Sequence, residues 1–217
     1  MNKIPVNNIF AAVFDKSILD PLLDALRVQP SRGLNPQNLV KFWGTDGTVK
    51  YLISRGFSAR SVVHGFDFDG RVKSLDRAIF TRILADRTNK KHLDELKKLA
   101  KITPGVGYNQ KHLRGGRMDS SEVDNFEPFD LVIVDLYAPH KNNFPESMDI
   151  GGQALIRAAV KNFRNVAVAF DKKSINDVVS QIEKNDGSTS LKFRKKQAEN
   201  ALKFIADRGV IESKFEL

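Results

Sequence analysis

Asp130-Leu131-Val132-Ile133-Val134-Asp135-Leu136-Tyr137 is an unbroken apolar run bounded by acids and followed by a tyrosine. A strand with one wet face alternates apolar and polar residues, whereas a strand covered on both faces has no reason to alternate. Val166-Ala167-Val168-Ala169-Phe170 and Ile9-Phe10-Ala11-Ala12-Val13-Phe14 read the same way. Helical spacing lies between these runs. Leu19, Leu22, Leu23 and Leu26 follow Asp15-Lys16-Ser17, and Val49, Leu52 and Ile53 follow the turn Gly44-Thr45-Asp46-Gly47-Thr48, which itself closes the strand Leu39–Trp43. Leu93, Leu96 and Ala100 mark a further helix, as do Leu155, Ile156, Ala159, Val160 and Phe163, and Ser61-Val62-Val63 is a third short strand candidate. Strands and helices in alternation predict a three-layer α/β fold around a mainly parallel sheet.

The chain of 217 residues fits one domain, 1–217. Two segments stand apart. Residues from about 101 to 128, with Pro104, Gly105, Gly107, Gly115 and Gly116, read as an inserted loop, and those from about 190 to 217 read as a carboxyl-terminal helical segment. No apolar run approaches the roughly 18 residues of a membrane span, and the start lacks a secretory apolar segment, so the expected location is cytoplasmic with no membrane partner.

Cysteine is absent, which excludes disulfides, thiolate nucleophiles and cysteine-bound zinc. His64, His92, His112 and His140 form no metal-binding spacing, so no metal is expected. A formal charge of +9 favours an anionic partner. A phosphorylated metabolite in a basic cleft and a nucleic acid both satisfy that charge.

Ligands of parallel α/β sheets bind where strand ends feed helix amino-termini. Three turns suit this role: Asp15-Lys16-Ser17, Gly44-Thr45-Asp46-Gly47-Thr48, and Asp149-Ile150-Gly151-Gly152. The last opens a strongly apolar helix carrying Arg157 and Lys161, where buried cations would need an anionic partner. Each turn alone is ordinary capping chemistry.

Gly70-Arg71-Val72-Lys73-Ser74-Leu75, the run Asp130–Tyr137, and Asp149-Ile150-Gly151-Gly152 continuing through Leu155-Ile156-Arg157-Ala158-Ala159-Val160-Lys161-Asn162 occur in that order. Together they resemble the inosine monophosphate (IMP) cyclohydrolase domain of the bifunctional purine-biosynthesis enzyme, from about Ile9 to the closing helix. The resemblance implies a methylglyoxal-synthase-like fold, a homodimer, and closure of the last purine ring of a formamidoimidazole carboxamide ribotide 5′-monophosphate. It implies no cofactor and a separate enzyme that supplies the formyl group. By the same resemblance Lys73, Tyr137, Asp149 and Lys161 are catalytic. Lys16, Thr45, Gly47 and Thr48 would hold the 5′-phosphate, Arg71 and Ser74 the rest of the substrate, with Ile150, Gly151, Gly152 and Asn162 completing the binding set.

The chain departs from that pattern in places. Ala12 and Phe14 stand where the family carries serines, Asp46 where it carries glycine, and Asp76-Arg77 and Phe80 where it carries His-Pro and a later histidine. Two other readings therefore stay open. One is a diverged purine-nucleotide-binding relative with altered or no activity. The other is a nucleic-acid-binding module using Lys192-Phe193-Arg194-Lys195-Lys196 and Lys111-His112-Leu113-Arg114.

Overall fold

The structure, a computed structural model, describes residues 1–28, 40–62, 74–102 and 126–216. Its elements run β1 (Lys3–Pro5), β2 (Asn8–Ala12), α1 (Asp20–Arg27), β3 (Lys41–Gly44), α2 (Asp46–Ser54), β4 (Ser58–Ser61) and α3 (Arg77–Leu84). They continue with α4 (Lys90–Ile102), β5 (Leu131–Val134), α5 (Ile150–Lys161), β6 (Ala167–Ala169), α6 (Lys172–Lys184), β7 (Ser188–Ser190) and α7 (Leu191–Glu212). The central sheet is parallel, in the order β4-β3-β2-β5-β6, and β1 pairs antiparallel with β7 in a separate ribbon.

The apolar runs are strands because both of their faces are covered. Ile9, Ala11, Phe42, Leu131, Ile133, Ala167 and Ala169 pack on one side against Leu22, Leu26, Leu52, Val178 and Ile182 of α1, α2 and α6. Phe10, Trp43, Val132, Val134 and Val168 pack on the other against Ile79, Ile83, Leu96, Leu155, Ile156, Ala201 and Ile205 of α3, α4, α5 and α7. This is the three-layer α/β arrangement that the unbroken runs require.

Chain order sets the site. From β2 the chain winds outward through β3 to β4, then returns to β5 on the other side of β2 and winds outward to β6. The direction reverses between β2 and β5, so their carboxyl ends flank a crevice at the switch point of the sheet.

Several elements differ from the sequence reading. The third strand lies at Ser58–Ser61, three residues before Ser61-Val62-Val63, because an edge strand of sequence Ser-Ala-Arg-Ser has only Ala59 fully inside. Helices α3 and α6 are additional to the helices read from the sequence, although α6 carries Ile175, Val178, Val179 and Ile182 at helical spacing. Asp76 caps α3 through the amides of Ala78 (2.7 Å) and Ile79 (3.3 Å), and a capping box between Asp171 and Ser174 starts α6. Of the expected loop at 101–128, Phe126 is a core residue, Ile102 ends α4, and 103–125 lie outside the described residues.

Two charge expectations are corrected. Arg157 and Lys161 are exposed on α5, a solvated stripe with no need of a buried anion. Arg194, in the run offered as a nucleic-acid face, is fully buried. Its guanidinium donates to the carbonyls of Thr189 (2.6 Å), Met1 (2.9 Å), Phe163 (3.1 Å) and Arg164 (3.1 Å), tying both ends of the chain to the loop after α5. Burial holds its pKa down at about 10. Lys111–Arg114 lie outside the described residues. Among the described residues no helix is long and apolar enough to cross a membrane.

Candidate active site at the carboxyl edge of the sheet

A cleft of about 730 Å³ opens at the crevice. Its walls are the turn after β2 (Ala12, Val13, Phe14, Lys16), the turn after β3 (Thr45, Asp46, Gly47), Asp135 and Tyr137 after β5, and the amino-terminus of α5 with Ser74 against it.

The β2 end is fixed by β5. Asp135 accepts the backbone N–H of Phe14 and, at 2.9 Å, that of Asp15, so one carboxylate clamps the first turn across the switch point. Burial raises the Asp135 pKa, opposed by those amides. Lys16 Nζ donates to Phe14 O at 2.8 Å and stands over Gly47, where an added Cβ would lie 3.9 Å away. Lys16 is the one cation among the described lining residues, facing Asp46, Asp135, Glu146 and Asp149.

The β3 end is a helix amino-terminus. Thr45 is the N-cap of α2 in extended conformation and makes no side-chain cap bond. The first-turn amides of α2 therefore point outward without intrahelical acceptors, a ready anion site beside the Lys16 ammonium. Asp46 Oδ1 accepts from Ser61 Oγ at 2.5 Å, which draws its carboxylate toward β4. Thr48, expected at the phosphate, is instead fully buried and is not part of the cleft wall. Its Oγ1 accepts from Val13 N at 3.3 Å and lies 3.3 Å from Thr45 Oγ1, so it holds the two turns together.

The opposite wall is built on α5. Asp149 is the N-cap, its Oδ1 accepting from Gly152 N at 2.6 Å. A Cβ on Gly152 would overlap Leu136 Cδ2 and come within 2.8 Å of the Asp149 carboxylate, and one on Gly151 would overlap Ser74 Oγ. Only glycine lets the helix start approach this closely. Burial raises the Asp149 pKa, partly relieved by the Gly152 amide and by Arg208. Tyr137 donates through its hydroxyl to Met148 O at 3.3 Å, and its pKa is raised by burial and by Asp149.

The structure thus brings Lys16, Thr45, Gly47, Ser74, Tyr137, Asp149, Ile150, Gly151 and Gly152 around one cleft. Lys73 and Arg71 lie outside the described residues, immediately before Ser74 in the chain. Lys161 and Asn162 are elsewhere. They occupy the far end of α5, about 16 Å from Ile150 at a rise of ~1.5 Å per residue. Asn162 Nδ2 donates to Ile83 O (2.7 Å) and Ala85 O (2.9 Å), securing the end of α3 rather than a ligand.

Arg208 and Asp135 are part of the site that sequence reasoning missed. Arg208, in α7, donates to Tyr137 O at 2.9 Å and Leu136 O at 3.3 Å. Asp135 was visible as the acid closing the β5 run, but its amide partners are distant in sequence. Arg208 is half-buried on the same face of α7 as Ala201 and Ile205, and an arginine at that register carries no local signal of its backbone partners.

Fold and site together define a methylglyoxal-synthase-like α/β protein with a ligand cleft at the switch point of a parallel sheet. The chain is 32% identical over 206 residues to the "Bifunctional purine biosynthesis protein PurH" of Clostridium botulinum, which spans 89% of this chain and 34% of that protein. It is 37% identical over 163 residues to PurH of Clostridium acetobutylicum (73% and 29%) and 33% identical over 204 residues to PurH of Paracoccus denitrificans (92% and 34%). Among solved structures, the crystal structure of ForH superposes with a TM-score of 0.65 at 25% identity, covering 95% of this chain and 98% of that one. No family model matches the chain. The chain is a homologue of the PurH proteins, and spans about one third of the length of those it matches.

Proposed function

We propose that the cleft closes a purine ring: the carboxamide nitrogen of a formamidoimidazole carboxamide ribotide attacks the formyl carbon of the same molecule, and water leaves to give inosine monophosphate. The observation that carries this reading is the convergence of Asp149, Tyr137 and the glycine start of α5 on the same cleft as Lys16 and the amino-terminus of α2. One end suits a heterocycle undergoing proton transfer and the other a phosphate.

The chemistry divides among the groups as follows. A C–N bond forms as the attacking amide loses one proton and the formyl oxygen becomes an alkoxide. The former formamide nitrogen then gives up its proton as the ring C=N bond forms, and the oxygen, having taken both protons, leaves as water. Asp149, a carboxylate whose basicity is raised by burial, takes the amide proton. The first-turn amides of α5 at Ile150 and Gly151 face the alkoxide, at roughly 3 kcal/mol for a well-placed donor. Tyr137 relays the proton to the departing oxygen. Folding the two reacting groups together removes rotational freedom, a contribution of several kcal/mol. Ring closure moves no electrons between molecules, so this scheme uses no redox cofactor.

Lys73 and Arg71 enter the reading through their adjacency to Ser74, which lines the cleft. Lys161, at the far end of α5, is not among the residues that line the cleft. A homodimer and a cytoplasmic setting belong to the same reading, through the likeness to the PurH proteins. The test is to incubate the purified protein with the formylated ribotide and follow inosine monophosphate by absorbance. Turnover above the uncatalysed rate, lost in Asp149→Asn, is expected; product at the uncatalysed rate only would reject the reading.

A further inference from the structure

We infer that Phe14 is a specificity-determining residue, its ring forming part of the surface on which the planar base of the substrate lies. The inference rests on the ring-closing reading and adds to it the source of the binding energy.

Phe14 is 70% exposed, yet it is held in place. Its N–H is bound by the Asp135 carboxylate and its carbonyl by Lys16 Nζ at 2.8 Å. Both hydrogen-bonding groups of its backbone are pinned, so the side chain projects from a fixed point on the cleft wall. There its ring centroid lies 6.4 Å from that of Tyr137, inclined at 58°, and Lys16 Nζ lies 5.9 Å from it. The two aromatic rings form one apolar stretch of a cleft wall that also carries the carboxylates of Asp46, Asp135, Glu146 and Asp149.

The chemistry of the ring decides which part of a ribotide it meets. The face of a phenyl ring is the negative pole of its quadrupole and carries no donor, so it gains nothing from a phosphate. A flat, electron-poor heterocycle gains stacking and buries the exposed face. A hydroxyl at this position would favour the phosphate end. Phenylalanine transfers that binding energy to the base, and the nearby Asp46 carboxylate lowers the share carried by an anion still further.

The test is calorimetric titration of the intact protein with inosine monophosphate and with inosine, for the wild type, Phe14→Ala and Phe14→Trp. Because the side chain is exposed, Phe14→Ala should melt with the wild type, which thermal denaturation checks. Phe14→Ala is expected to weaken both ligands by a similar factor, about tenfold for one lost stacking face. Phe14→Trp should bind both more tightly than Phe14→Ala. Unchanged binding of both ligands in Phe14→Ala, or weakening confined to inosine monophosphate, would overturn the inference while leaving the ring-closing reading intact. A wild type that binds neither ligand and makes no product would overturn both.

Discussion

The guanidinium of Arg208 donates to the backbone carbonyl of Tyr137 at 2.9 Å, so a side chain of the last helix, α7, fixes a residue of the cleft wall at the exit of β5. The same cation faces Asp149 and favours its ionised form. Removing it in Arg208→Met leaves burial, which already raises the Asp149 pKa, less opposed, and the carboxyl should then protonate at higher pH. The base is lost as pH falls, so the acid limb of the kcat/KM profile should move to higher pH in Arg208→Met and less in Arg208→Lys. A profile that keeps its acid limb while the rate falls would assign Arg208 to scaffolding alone.

Gly152 admits no side chain. In Gly152→Ala the new Cβ meets Leu136 Cδ2 and the Asp149 carboxylate at 2.8 Å, displacing the cap from its 2.6 Å bond to the helix. A shift of about 1 Å in a reacting group lowers turnover by about 100-fold. Steady-state kinetics should show that fall in kcat, with stability reduced by about 1–3 kcal/mol in urea denaturation.

Thr48→Val separates a structural hydroxyl from a substrate-binding one. Its Oγ1 accepts the buried amide of Val13, so the valine leaves that donor unpaired at a cost of about 1–3 kcal/mol. The expected result is a lower melting temperature with KM for the ribotide changed less than in Lys16→Ala. A KM increase equal to that of Lys16→Ala, without destabilisation, would return Thr48 to the phosphate.

Arg194→Met tests the buried guanidinium that ties both chain ends to the loop after α5. Four backbone carbonyls lose their donor together, and the loss is expected to exceed about 3 kcal/mol in urea denaturation, since each abandoned buried acceptor costs about 1–3 kcal/mol. The same variant should leave the salt dependence of any oligonucleotide binding unchanged, because Arg194 is not on the surface.

Much of the fold was legible in the chain. The β5 run is apolar at every position because both faces of the strand are buried, and Leu131, Val132, Ile133 and Val134 all lie inside. The edge strand β4 and the β1–β7 ribbon were not legible, since three- and four-residue strands that are only half covered leave no period to read. Helix α6 carries both the Asp171–Ser174 capping box and an apolar face, Ile175, Val178, Val179 and Ile182, so its signal was present in the chain.

For the site, local order determined which turns stand at strand ends and which helix begins with Asp149, Gly151 and Gly152, because capping and close approach are decided within a few residues. Tertiary structure alone decided that Thr48 turns inward to Val13, that Asn162 serves α3, and that Arg208 and Asp135 brace the two walls. The physical reason is one of range. Propensity, capping and hydrophobic period act along neighbouring residues, while a side chain's direction and partner are set by what the sheet order places across from it, here more than 120 residues away for Phe14 and Asp135.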